Sequence, residues 1–196
     1  MAGNIKGPSL PGAALLIASK VGFSARMARE PSESSKASVA EAVRLRGQII
    51  GSYSQVEHLI TDIVLRARVL ACYRHLPEGL PYKLATRIQR VQTLFRTPGP
   101  LLKYADEAMP LLDGLTAYEA IRVMMAHGLF ILEARTNPHT FEFRMYRAEK
   151  GNVISEGLME TDAQQLRFAA REITDYAQAV VVLFHRIYLA ERLQEV

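Results

Sequence analysis

The sequence predicts an all-α fold: an up-and-down helical bundle of four to five helices with one small β-hairpin before the last helix. Apolar residues recur at helical spacing through most of the chain. Three boxes of the form Ser/Thr-x-x-Glu/Gln mark helix starts: Ser38/Glu41, Thr116/Glu119 and Thr161/Gln164. Residues 140–147 instead alternate apolar and polar at period two.

Residues 1–36 hold three Pro, four Gly and the run Pro-Ser-Glu-Ser-Ser-Lys, and read as a flexible N-terminal arm ahead of a single helical domain, 37–196. A long first helix is expected from Ser38 to about His75. Its stripe is Val43, Ile49, Ile50, Tyr53, Val56, Leu59, Ile60, Ile63, Val64 and Leu70, with Gly51 as a place to kink. Leu-Pro-Glu-Gly-Leu-Pro (76–81) is a turn. A second helix over about 82–95 buries Leu84, Ile88, Val91 and Phe95. Thr-Pro-Gly-Pro breaks the chain, and a shorter helix over 101–112 follows, its end disturbed by Pro110. The helix begun by Thr116 runs through Met124, Met125, Leu129, Phe130 and Leu132, and ends before Asn137-Pro138. Residues 140–147 form a strand with Phe141, Phe143 and Met145 on one side, and 153–159 pair back as the hairpin. The last helix carries Leu166, Ile173, Tyr176, Val180, Phe184 and Ile187.

Composition narrows the class. The chain has 196 residues, 49% hydrophobic and 22% charged, as expected of one soluble globular domain. No apolar run is long enough to span a bilayer, so no membrane role is expected. Lys20 interrupts the only signal-like run, 12–23, which argues against secretion. The first 29 residues carry basic groups and no acid, a faint likeness to a mitochondrial presequence that yields to a cytoplasmic reading. One cysteine, Cys72, excludes an internal disulfide and suits a reducing compartment; among apolar neighbours in a helix it reads as a buried, inert thiol.

The net charge of +4 is unevenly placed. Residues 64–103 carry eight Lys/Arg against Glu78 alone, whereas 104–196 carry nine against fourteen acids. A local basic block of this kind steers polyanions. Within it Lys83, Arg87 and Arg90 stand at i, i+4 and i+7, and Arg66, Arg68 and Arg74 extend it. If RNA binds, Lys83, Arg87, Arg90 and Arg66 are the expected phosphate contacts, though such a stripe is a solvated face in most proteins.

The stretch with most chemical content is Ile-Arg-Val-Met-Met-Ala-His-Gly, 121–128. It places Arg122 and His127 in an otherwise apolar helix. A guanidinium is costly to bury without a partner, and an imidazole exchanges a proton near neutral pH. Five residues is about 140° of rotation, so the two flank a cleft rather than share a narrow face. Ala126 and Gly128 leave room for close approach. The five histidines (58, 75, 127, 139, 185) show no metal-ligand spacing, so no metal or other cofactor is expected.

This pattern resembles the Arg-x4–6-His motif of the HEPN superfamily (higher eukaryotes and prokaryotes nucleotide-binding). The Ala-His-Gly ending is similar to that family's, as is a long upstream helix bearing Tyr-Ser-Gln-Val-Glu (53–57). The likeness covers about residues 40–192. It implies a metal-independent endoribonuclease, often a toxin held by an antitoxin partner, working as a homodimer on RNA or a nucleotide. It implies that His127 moves a proton as general base or acid. It implies that Arg122 stabilises charge at phosphorus as the ribose 2′-oxygen attacks. Glu57 would orient one of the pair. Two departures stand out. Val123 follows the arginine where the family often has a polar residue, and Leu129 stands where some antitoxin-paired members have tyrosine.

The structural alternatives are concrete. His127 can be a core or interface histidine bonded to a carbonyl, and Arg122 can pair with Glu119 or Glu57 for structure alone. The competing function is a catalytically inactive helical module for dimerisation or scaffolding. A nucleotide-binding regulatory domain is a third.

Overall fold

In the computed structural model the described residues are 32–77, 79, 81–133, 139–149 and 153–193. The expected arm lies outside them except for its end: helix α1 is Glu33–Ala67, so residues 33–36 are helical rather than part of an arm. The helix starts earlier than Ser38 because Ser32 caps it, its Oγ accepting the Ser35 amide hydrogen at 3.2 Å. It ends at Ala67, short of His75. Cys72 therefore lies not in α1 but in a separate 3-10 turn, Ala71–Tyr73, where it is half-buried.

The chain divides into two compact units, and α1 and the last helix each contribute to both. One unit comprises Gly51–Glu119 and the residues from Glu172 onward. Its share of α1 buries Tyr53, Val56, Ile60, Ile63, Val64 and Ala67, at spacings of three and four. Helix α2, Leu84–Arg96, buries Leu84, Ile88, Val91, Leu94 and Phe95. It stops where Thr97, ahead of Pro98, turns extended. Helix α3, Ala105–Gly114, runs through Pro110 rather than ending there. Tyr73 anchors the intervening loop: its buried hydroxyl accepts the Leu101 amide hydrogen at 2.9 Å. A Cβ at Gly99 would lie 2.6 Å from that hydroxyl and 2.9 Å from Cys72 Sγ, so only glycine fits. From the last helix, Phe184 meets Phe95 edge-on at 6.3 Å and the Tyr176 hydroxyl donates to the Leu111 carbonyl at 2.6 Å.

The other unit comprises the residues up to Ile50 and Ala120–Arg171. Here α1 buries Ala42, Leu45 and Ile49; Val43, expected in the stripe, is largely exposed. Helix α4 is Glu119–His127, preceded by a 3-10 turn, Leu115–Tyr118. The Thr116/Glu119 box does not form: Thr116 Oγ1 donates back to the Asp113 carbonyl at 2.9 Å. Three antiparallel strands follow instead of a two-stranded hairpin, in the order β1-β2-β3: β1 Leu129–Glu133, β2 Thr140–Glu149 and β3 Val153–Asp162. Leu129 pairs with Arg144 and Phe130 with Phe143, while β2 and β3 pair in one register from Thr140↔Asp162 to Glu149↔Val153.

The extra strand replaces the expected second half of the motif helix. Gly128 stops α4, its amide donating to the Met124 carbonyl at 2.8 Å. The apolar run that follows then alternates. Phe130 turns inward to stack on Phe141 (5.6 Å) and Phe143 (5.3 Å). Phe141, Phe143 and Met145 are buried, as their spacing predicts. Helix α5, Ala163–Ala190, is capped one residue later than the expected Thr161/Gln164 box. Asp162 Oδ1 accepts the Gln165 amide hydrogen at 2.8 Å, and Gln165 Oε1 accepts that of Asp162 at 3.2 Å. The fold is thus mostly helical, with a small antiparallel sheet before its last helix.

Candidate active site

Arg122 and His127 both fall on α4, nine residues long, within one unit. Met124 and Met125 between them are buried. Arg122 is half-buried in the middle of the helix, and His127 is its last residue, with an exposed ring. A core role for His127 is thereby ruled out; a role at a surface or interface remains.

The end of α4 is held by a residue that sequence patterning does not single out. Arg46, from α1, donates from Nε to the Met125 carbonyl. Its Nη2 reaches the carbonyls of Ala126 (3.4 Å) and Gly128 (3.3 Å). The Met125 and Ala126 carbonyls are ones that a helix C-terminus leaves without intrahelical donors, and a guanidinium both satisfies them and matches their negative dipole. The same guanidinium lies 5.9 Å from the Phe143 ring centroid. The backbone carrying His127 is thus fixed on both flanks. The sequence signal was slight: an arginine directly after the core residue Leu45, at the border of an apolar stripe.

Gly128 completes this junction. A Cβ there would lie 2.5 Å from the Met124 carbonyl oxygen, 3.2 Å from Met124 Sδ and 3.3 Å from Phe143 Cβ. Glycine at 128 is therefore a packing requirement, whatever else the Ala-His-Gly ending does.

A second histidine is placed by α1. Ser38 Oγ and His139 Nδ1 are 2.9 Å apart, both half-buried. Ser38, expected to cap the helix, instead ties α1 to the start of β2. One turn on, Glu41 takes a bidentate ion pair from Arg167 at 2.7 and 2.8 Å. That hydrogen bonding holds the Glu41 carboxyl below its ordinary value.

The remaining predicted residues fall in the other unit. Glu57 accepts from Arg87 Nη2 at 2.7 Å, both side chains largely buried. Arg66 binds Asp62 at 2.6 Å and the Leu193 carbonyl at 2.8 Å, over the Tyr188 ring. Lys83 precedes α2 and is exposed. Arg90 is half-buried, with Nη1 lacking a hydrogen-bond partner among the described residues. Of the proposed phosphate contacts, two are thus already engaged with carboxylates.

Among the described residues no group of three or more His, Cys, Asp or Glu side chains is placed to hold a metal ion, and no helix is long and apolar enough to cross a membrane. Comparison with protein-family models, with curated proteins and with solved structures gives no match to this chain.

Proposed function

We propose that this chain is a HEPN-like RNA-binding protein that cleaves RNA without a metal, through Arg122 and His127, as a cytoplasmic homodimer built on an up-and-down helical bundle. The observation that carries the reading is the exposed ring of His127 at the end of the helix that bears a half-buried Arg122. An imidazole that can meet solvent can exchange protons with a bound polyanion, and a guanidinium partly withdrawn from water stabilises phosphoryl charge more strongly than an exposed one. In this scheme the 2′-hydroxyl attacks the adjacent phosphorus and the 5′-oxygen leaves, giving a 2′,3′-cyclic phosphate and a 5′-hydroxyl end. His127 moves the proton at one of the two oxygens and Arg122 faces the non-bridging oxygens. A second subunit lines the same cleft, and an antitoxin-like protein is the expected inhibitor.

The test is cleavage of a structured RNA in EDTA by the wild type, Arg122→Ala and His127→Ala, each first shown to be folded. The reading expects each substitution to lower the rate by roughly two orders of magnitude or more. Equal rates for all three proteins would remove it.

The second reading is a catalytically inactive dimerisation or scaffold module. It is favoured by the engagement of Arg87 with Glu57 and of Arg66 with Asp62, which leaves fewer cations for phosphate, and by the apolar Val123 beside Arg122. It expects no cleavage by any of the three proteins, with His127→Ala changing only self-association.

A further inference from the structure

We propose that the outer edge of β3 pairs with β3 of a second copy of this chain, antiparallel about Gly157, joining two three-stranded sheets into one. The interface does not rest on any role for Arg122 and His127, and its association is measured without RNA.

β3, Val153–Asp162, is the last strand in the order β1-β2-β3. It pairs with β2 along one edge, and among the described residues no strand lies on its other edge. Along an antiparallel strand, alternate residues turn their N–H and C=O groups to opposite sides, so half of those of β3 face that outer edge. Such an edge is a template for another strand. Common guards against pairing are missing from it. There is no Lys, Arg or Pro between 153 and 162, and an unbroken register with β2 leaves no bulge. At ten residues β3 is also longer than β1, the other edge strand, at five.

Side-chain pattern selects a second copy and fixes its register. The pairing with β2 puts Ile154, Glu156, Leu158 and Glu160 on one face of the sheet, with Arg144 and Tyr146. Val153, Ser155, Gly157, Met159 and Thr161 lie on the other, where Thr161 is buried. A two-fold axis perpendicular to the sheet sets residues of one face against residues of the same face. Centred on Gly157, Glu156 opposes Leu158 and Glu160 opposes Ile154, while Ser155 opposes Met159 and Val153 opposes Thr161. No like charges meet. Centred on Glu156, two acids would stand face to face, and centred on Leu158, Glu156 would oppose Glu160.

The same register covers apolar surface that one copy leaves to solvent. Ile154 is 72% exposed and Val153 55%. Ile154 comes to lie diagonally across from Leu158 of the second copy, within reach of contact. Gly157 at the axis presents no side chain, so the two backbones meet without obstruction. Each copy uses the same edge, so this contact closes at two copies.

The experiment is sedimentation equilibrium of the full-length chain over a range of concentrations. It compares wild type, Ile154→Glu, Ile154→Lys and Ile154→Glu/Glu160→Lys. Both positions are exposed, so the fold should persist, as circular dichroism would check. Ile154→Glu sets acid against Glu160 at both ends of the interface and should weaken dimerisation roughly ten-fold. Ile154→Lys sets a cation there and should dimerise at least as tightly as wild type. The double change restores opposite charges and should recover the wild-type constant to within about three-fold. Hydrogen exchange at residues 153–161 should slow as the wild type passes from monomer to dimer. Equal association by all four proteins would overturn the proposal by placing any dimer elsewhere. Loss in Ile154→Glu that the double change leaves uncorrected would overturn it, as would a wild type still monomeric at about 1 mM.

Discussion

Arg46 hydrogen-bonds the carbonyl of Met125, and through Ala126 and Gly128 it closes the last turn of the helix that ends at His127. A side chain on α1 thus sets where the candidate imidazole sits. Replacing Arg46 with Met keeps an unbranched stem but removes the guanidinium beside Phe143 and leaves three carbonyls without this donor. The expected loss is about 1–3 kcal/mol in urea unfolding. Arg46→Lys should recover only part of it, because an ammonium cannot match the planar fork. If Arg46→Met unfolds with the wild type, the clamp contributes nothing.

Two glycine substitutions should have opposite signs. Gly128→Ala forces a Cβ to 2.5 Å from the Met124 carbonyl oxygen, which is backbone and cannot swing away. A cost of about 1–3 kcal/mol follows. Gly51 lies in the interior of α1, and a Cβ added there would meet nothing within 4 Å. Gly51→Ala should therefore stabilise by up to about 1 kcal/mol. Thermal melts of the two variants beside the wild type decide this.

Glu57 and Arg87 form a largely buried pair, so breaking it and deleting it should differ. Glu57→Leu leaves a guanidinium short of its acceptor and should cost about 1–3 kcal/mol. Glu57→Leu/Arg87→Met removes both charges and should cost less than the sum of the single changes. A double-mutant cycle that comes out additive would show the pair to be energetically idle.

Acid should act partly through Glu191. Burial pushes its carboxyl up, but donors from Lys103 and Tyr104, both at 2.8 Å, more than offset this, and its pKa falls below the ordinary 4.5. A depressed carboxylate pKa adds stability above the unfolded value and loses it as pH falls through the folded one. The stability gap between wild type and Glu191→Gln should therefore be constant near neutrality and shrink progressively below pH 4.5. A gap unchanged down to acid unfolding would contradict this assignment.

Much of the fold was legible because its signals were local and unopposed. The β2 alternation buried Phe141, Phe143 and Met145 as expected, and α2 buried Leu84, Ile88, Val91 and Phe95. The failures came where two local signals competed. Residues 129–132 continue the helical spacing of Met125, yet Gly128 stops the helix and Phe130 finds Phe141 and Phe143 across the sheet. Each capping box was displaced by a rival hydrogen bond: Ser32 ahead of Ser38, Asp162 ahead of Thr161, and the Asp113 carbonyl for Thr116. At the candidate site, the sequence put Arg122 and His127 on one helix. It could not show Arg46 or the Ser38–His139 contact, which join residues 79 to 101 positions apart.

The most direct test of the central claim uses an RNA cut by the wild type in EDTA, with a single 2′-O-methyl group placed at the mapped cleavage site. If Arg122 and His127 direct attack by the neighbouring 2′-oxygen, the unmodified RNA yields a 2′,3′-cyclic phosphate, the methylated site resists cutting, and His127→Ala cuts neither. Cleavage at the methylated site, or equal cleavage by His127→Ala, would contradict the account.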